Sequence, residues 1–242
     1  MRLCAAQFRP SPGAIAANTS IHLRLMHLAL ACRADAVWFP ELSLTGYEPA
    51  LAQTLALEPE DPRLAVFQAF SDRHGLTAGI GAPVRAEDGI RIGMLLFRPG
   101  LPRLLYCKQM LHADELPWFT PGSAQLILEL GGLRIAPAIC YESLQPAHSE
   151  QAHALGAACY AASVAKSQQG VDRACRWYPE LAARFAMPVL MANCTGPCDT
   201  FESAGGSAAW NAQGRRLASL DSRRDGLVVY DTETDTAEGV YG

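Results

Sequence analysis

The stretch LRIAPAICYESLQP, residues 133–146, decides how the rest of the chain is read. Leu133 to Ile139 is an apolar run of strand length. Cys140 stands where the run stops, and Tyr141 to Pro146 is turn-like. A buried strand that ends in a thiol holds that thiol rigidly and can present it to a pocket. A thiol is a useful nucleophile only where a neighbour lowers its pKa or takes its proton. The reading therefore turns on what else in the chain converges on Cys140.

Two further segments have the same form. Ala36 to Phe39 (AVWF) ends in Pro40-Glu41 and leads into LSLTGYEP, Leu42 to Pro49. Leu104 to Cys107 (LLYC) ends in Lys108 and leads into a polar loop that reaches Phe119-Thr120-Pro121-Gly122. Where strands of a sheet run the same way, side chains at their ends can gather at one edge. Glu41, Lys108 and Cys140 are then a base, a charge stabiliser and a nucleophile, the parts for acyl transfer.

Between these segments, strands and helices alternate. Leu3 to Phe8 reads as a strand, and Asn18 as the cap of a helix running to about Arg33. Pro62 to His74 reads as a helix with Pro at its first position and Gly75 just beyond it. Leu76 to Ala82, Ile90 to Phe97 and Leu104 to Cys107 read as strands divided by turns at Asp88-Gly89 and Pro99-Gly100. Ala124 to Leu130 and Leu133 to Ala138 flank Gly131-Gly132, a hairpin signal. Ala147 to Leu155 is predicted helical, Ala158 to Ser163 a strand, Asp172 to Phe185 a helix kinked or restarted at Pro179, and Pro188 to Asn193 a strand. Strands at Ser207 to Asn211, Leu217 to Leu220 and Leu227 to Tyr230 close the chain. This alternation means a layered α/β protein with mixed sheets. Periodicity alone leaves a three-layer doubly wound sheet and a four-layer sandwich both open. Gly79-Ile80-Gly81 lacks a third glycine and a following helix, so it is no dinucleotide loop.

Composition narrows the function classes. Half of the 242 residues are hydrophobic, which supports a substantial core. The net charge is −4 with no basic run, which argues against nucleic acid as a partner. No signal peptide or long apolar span is present, so the expected compartment is the cytoplasm. The eight cysteines are scattered and read as free thiols. Cys4, Cys107 and Cys159 lie in apolar runs and are expected in the core. Cys194 and Cys198 form a CxxxC whose spacing is not that of a standard zinc finger, so no metal site is expected.

PELSLTGY around Glu41, YCKQMLHADELPWFTPG around Lys108 and AICYE around Cys140 resemble, in order and spacing, the three signatures of the nitrilase (carbon–nitrogen hydrolase) superfamily. The resemblance extends from AAQF at Ala5 to Phe8 through ANC at Ala192 to Cys194 and GGSAAWNAQG at Gly205 to Gly214. It implies a four-layer αββα sandwich with mixed β-sheets, one carbon–nitrogen hydrolase domain over residues 1–242, and hydrolysis of a non-peptide amide or a nitrile through a covalent thioester. Amide-type activities are the commoner in the family. It also implies a second glutamate seven residues after the lysine, and Glu115 stands there as a positioning carboxylate.

The residues then take roles. On this resemblance Cys140 is expected as the nucleophile. Glu41, beside Trp38 and Phe39, is a partly desolvated carboxylate and hence a better base near neutral pH. Lys108 stabilises the oxyanion, with the backbone N–H of Tyr141 as second donor. Tyr47, Trp118, Tyr141 and Glu142 flank the motifs as substrate-binding candidates. Ser163 and Lys166 end a strand that should reach the same edge, where Lys166 either holds a substrate carboxylate or points into water. No cofactor or metal is needed, because the site contains its own base and its own cation. Two departures from the family pattern stand out. Leu144 occupies the position, four after the cysteine, where relatives with acidic substrates carry Arg, and Gly242 ends the sequence before the long tail of many relatives. The family implies a homodimer or higher homo-oligomer, with Trp177, Tyr178 and Phe185 as an aromatic contact. Nitrile hydrolysis, acyl transfer to another nucleophile and a non-catalytic binding protein on the same fold are the rival functions.

Overall fold

The computed structural model describes residues 1–242. Its first strands are β1 (Arg2–Gln7), β2 (Ala36–Trp38), β3 (Thr77–Ala86), β4 (Gly89–Arg98), β5 (Leu101–Cys107), β6 (Leu128–Leu130), β7 (Leu133–Ile139) and β8 (Cys159–Val164). Then follow β9 (Val189–Asn193), β10 (Thr195–Cys198), β11 (Phe201–Ala204), β12 (Ala208–Trp210), β13 (Arg216–Ser219), β14 (Gly226–Asp231) and β15 (Thr236–Tyr241). The α-helices are α1 (Ile15–Ala31), α2 (Ala52–Leu55), α3 (Ala65–His74), α4 (Pro146–Ala154) and α5 (Gln168–Phe185). No helix is long and apolar enough to cross a membrane.

Two mixed sheets result. The seven-stranded sheet has the order β15-β14-β1-β2-β3-β4-β5, with β2 parallel to β1 and β3. The six-stranded sheet has the order β13-β12-β9-β8-β7-β6, with β7, β8 and β9 parallel. Side-chain alternation sorts residues into three apolar cores. Leu3 and Ala5 of β1 join Cys159 and Ala161 of β8 in the core between the sheets, the largest of the three. Cys4 and Ala6 turn the other way and pack with Met26 of α1 and Phe67 of α3. Tyr160 and Ala162 pack with Ala152 of α4 and with Val171, Ala174 and Leu181 of α5. The layers are therefore helix, sheet, sheet, helix, and this chooses the sandwich over the doubly wound sheet.

The expected elements recur with changes at their edges. Helix α1 begins at Ile15, so Asn18 is not its cap. Asn18 is buried inside the helix, where its side chain accepts from Ser11 N and donates to the carbonyls of Ser11 and Leu44. The Pro62 helix opens as a tight turn, Pro62–Leu64, and Gly75 closes it with φ 72°. Strand β6 keeps only the last three residues of the run expected from Ala124. Helix α5 starts at Gln168 and carries Pro179 without breaking. The hairpin β10–β11 and the edge strand β15 have no counterpart among the expected elements. TGPC contains two turn formers, and TAEGVY is polar and mostly exposed, so neither shows a strand pattern. Cys4 and Cys159 are core residues, whereas Cys107 ends β5 half-buried. All eight cysteines are free.

Candidate active site

Strand β2 ends at Trp38, and the chain turns through Phe39-Pro40-Glu41 against β3. Phe39 N donates to the Gly79 carbonyl and Leu44 N to the Gly81 carbonyl, so the turn is stitched to its neighbour. Gly81 makes the approach possible: a Cβ there would stand 2.5 Å from Leu42 N and 2.6 Å from the Pro40 carbonyl oxygen. This loop leaves Glu41 only 1 % exposed.

Lys108 follows β5 and is fully buried. Its Nζ donates to Glu41 Oε1 at 2.7 Å and to Glu115 Oε1 at 2.6 Å. Glu115 is fixed in turn by Tyr47 OH at 2.9 Å and by His112 N at 2.8 Å. One ammonium thus sits between two carboxylates. The second oxygen of Glu41, Oε2, has no hydrogen-bond partner.

Cys140 follows β7 with φ 45°, a left-handed conformation that costs a non-glycine residue energy and turns the chain sharply into the short helix Cys140–Leu144. Its Sγ faces the Ala165 carbonyl at 3.6 Å and Lys166 Nζ at 3.7 Å. Glu142 sits beneath this turn. Its carboxylate accepts from Ile139 N and Tyr106 OH through Oε1, and from Gln109 N and Met110 N through Oε2. It therefore fastens the residues beside Lys108 to those beside Cys140. Tyr106 OH also meets His148 Nε2 at 2.8 Å, and Tyr160 OH meets His148 Nδ1 at 2.6 Å.

Burial dominates the proton affinities. It raises the Glu41 carboxyl to about 7, with Lys108 opposing and Glu115 reinforcing. It pushes the Cys140 thiol up to about 11; Glu41 adds to this, while Lys166 and Lys108 pull down. Burial disfavours the Lys108 ammonium, but Glu41 and Glu115 outweigh it and the pKa rises. The resting site is therefore a thiol, a carboxylate poised near neutrality and a fixed ammonium. Such a set can move a proton from sulfur to carboxylate when an electrophile arrives.

A cavity of about 500 Å³ opens onto this cluster. Cys140, Glu115, Tyr47, Tyr141 and Lys166 line it, with Glu41 and Lys108 buried outside the lining. Three candidates are elsewhere. Trp118 is 44 % exposed and Glu142 lies below the Cys140 turn. Ser163 is buried with its Oγ unpaired. The lining also contains Leu144, Ser167, Gly170, Arg173, Trp177 and Phe201, of which only Leu144 drew attention as a pocket residue in the sequence. The spacing of Arg173 from Gly170, one helical turn, was the available signal, but it needed the start of α5 to be known. No group of three His, Cys, Asp or Glu side chains is placed to hold a metal ion.

A model of the carbon–nitrogen hydrolase family matches residues 2–240. The glutamine-dependent NAD(+) synthetase of Rhodobacter capsulatus is 27% identical over 98% of this chain and 44% of its own length. The chain thus spans less than half the length of the curated relatives it matches. Among solved structures, a variant of the amidase from Nesterenkonia sp. AN1 in complex with butyramide superposes with a TM-score of 0.88. It is 22% identical and covers 97% of this chain and 92% of its own. Another variant, with the acetamide moiety of fluoroacetamide added covalently at the active-site cysteine, gives 0.87 at 22% identity, over 95% and 89% of the two chains. At these identities the structural likeness establishes the fold.

Proposed function

The chain belongs to the carbon–nitrogen hydrolase family, and from that premise we propose that it hydrolyses a small linear amide through a thioester on Cys140, as one catalytic domain over residues 1–242. Glu41 takes the thiol proton as sulfur attacks the carbonyl carbon. The resulting oxyanion meets the Lys108 ammonium and the Tyr141 N–H. The C–N bond breaks as Glu41 hands its proton to the leaving nitrogen, and ammonia or an amine departs. Water then loses a proton to Glu41 and attacks the thioester. The C–S bond breaks, the acid leaves and Cys140 regains its proton. Glu115 holds Lys108 throughout. The scheme uses no metal or cofactor.

The observation that carries this reading is the buried Glu41–Lys108–Glu115 cluster beside a cavity with Cys140 on its wall. The amidase that holds butyramide on the same fold supports it. The test is Cys140→Ala, which should abolish ammonia release from a panel of small amides while leaving the circular dichroism spectrum unchanged. Mass spectrometry of the wild-type reaction should find an acyl adduct on the Cys140 peptide. An active alanine variant, or an adduct on another cysteine, would overturn the mechanism. The curated relatives favour a second reading, in which the amide is that of glutamine and the ammonia serves another active centre. Glutamine hydrolysis far above that of simple amides would select it.

A further inference from the structure

One wall of the cavity carries unmatched positive charge. Lys166 follows β8 and is 5 % exposed, with Nζ 3.4 Å from the Cys140 carbonyl oxygen and 3.7 Å from Sγ. None of the chain's ion pairs includes Lys166 or Arg173. A buried ammonium without an anionic neighbour is costly, so its charge awaits a partner. Ser167 caps α5, and Ser167 and Gly170 both line the cavity. The positive end of an 18-residue helix therefore opens onto it. Gly170 brings the helix against the lysine: a Cβ there would stand 3.0 Å from Lys166 Cβ. Arg173 is one turn further along the same face and also lines the cavity. Leu144 contributes only an apolar surface.

We propose that Lys166, Arg173 and the first turn of α5 form an anion subsite, so that the amide hydrolysed carries a carboxylate near its scissile carbonyl. This deepens the amidase reading and rests on it. The nearness follows from the lysine's place beside sulfur, because a carboxylate held by Nζ lies only a few bonds from the carbon that Sγ attacks. Arg173 extends the same wall to longer chains. Ammonium and guanidinium groups recognise carboxylates by charge-assisted hydrogen bonds.

The test compares iodoacetate with iodoacetamide as reagents for Cys140. In both, sulfur displaces iodide and forms an S–C bond; they differ in carboxylate against amide. The reference is the ratio of the two rates with a small thiol in solution. Labelling of the Cys140 peptide should favour iodoacetate over that reference, and Arg173→Gln or Lys166→Met should reduce the preference by roughly tenfold, the scale of one charge-assisted hydrogen bond. Lys166→Arg should retain most of it. A ratio equal to that of the free thiol overturns the subsite. So does Lys166→Met slowing both reagents equally, which would make the lysine a partner of the thiolate alone. A turnover comparison separates the two readings. With propionamide and succinamate, the carboxylate-bearing amide should have the higher kcat/KM, and preference for the neutral one overturns the proposal. Anion-selective labelling without ammonia from any amide keeps the subsite and removes the amidase reading.

Discussion

Lys108 meets two carboxylates with one charge, and that imbalance sets the proton inventory of the site. Glu41 is the carboxylate with a free oxygen, and burial lifts it to about 7. A base must be unprotonated to accept a proton, so kcat/KM should rise with pH through about 7 and then level, well below the Cys140 thiol's own ionisation at about 11. A pH profile that is flat or falls from roughly pH 5 to 9 would remove Glu41 from the role of base. In the proposed scheme Lys108 acts on a charge that exists only when the tetrahedral oxyanion forms. Lys108→Met, which keeps length and removes charge, should depress kcat and kcat/KM together by about 10²–10³, the range for one oxyanion donor. A raised KM with unchanged kcat would make Lys108 a substrate anchor instead. The strand-end positions of Glu41, Lys108 and Cys140 were legible in the sequence. The work of Glu142 was not, because four donors from two separate segments, Tyr106 to Met110 and Ile139, meet its carboxylate only after folding.

Elements bring these residues together by close backbone approach. The turn that carries Glu41 lies on β3 at Gly81, where a methyl group would collide with backbone atoms at 2.5 and 2.6 Å. Backbone cannot rotate away as a long side chain can. Gly81→Ala should therefore shift the Glu41 turn and lower stability by about 1–3 kcal/mol, the usual cost of overpacking. Activity should fall further than stability explains, because Glu41 moves with the turn. Chemical denaturation and kcat measured on the same preparation check this, and full activity in a stable variant would show that the turn tolerates displacement. Strands with apolar runs were readable by period, and so was the Gly75 stop of α3. Helix α1 misled because Asn18 has the chemistry of a cap but is used inside, bonding Ser11 and Leu44 across a tertiary contact. A cap and a buried bridge differ in what surrounds the amide, which local sequence does not encode.

At the scale of the molecule, the expected aromatic contact for a homodimer is rearranged. Tyr178 is buried against Trp210, Trp177 lines the cavity and bonds the Ser143 carbonyl, and Phe185 stacks beside His153 and Arg184. The dimer remains the proposal that the family implies, resting on surfaces other than Tyr178. Sedimentation at micromolar concentration should give at least twice the mass of the chain, and a fully active monomer would refute it. The sequence by itself determined the layered α/β class, because apolar period and turn residues act over short range. It also marked three strand ends as candidates for nucleophile, cation and base, and through its motifs the family. Which core each strand face enters was decided only by the pairing of two sheets, since a period of two gives alternation without saying what lies on either side. Lys166 was marked in the sequence by its place after a strand, but that Ser167, Gly170 and Arg173 share a cavity with it and with Cys140 was decided in three dimensions, because it depends on how the start of α5 packs beside the end of β8.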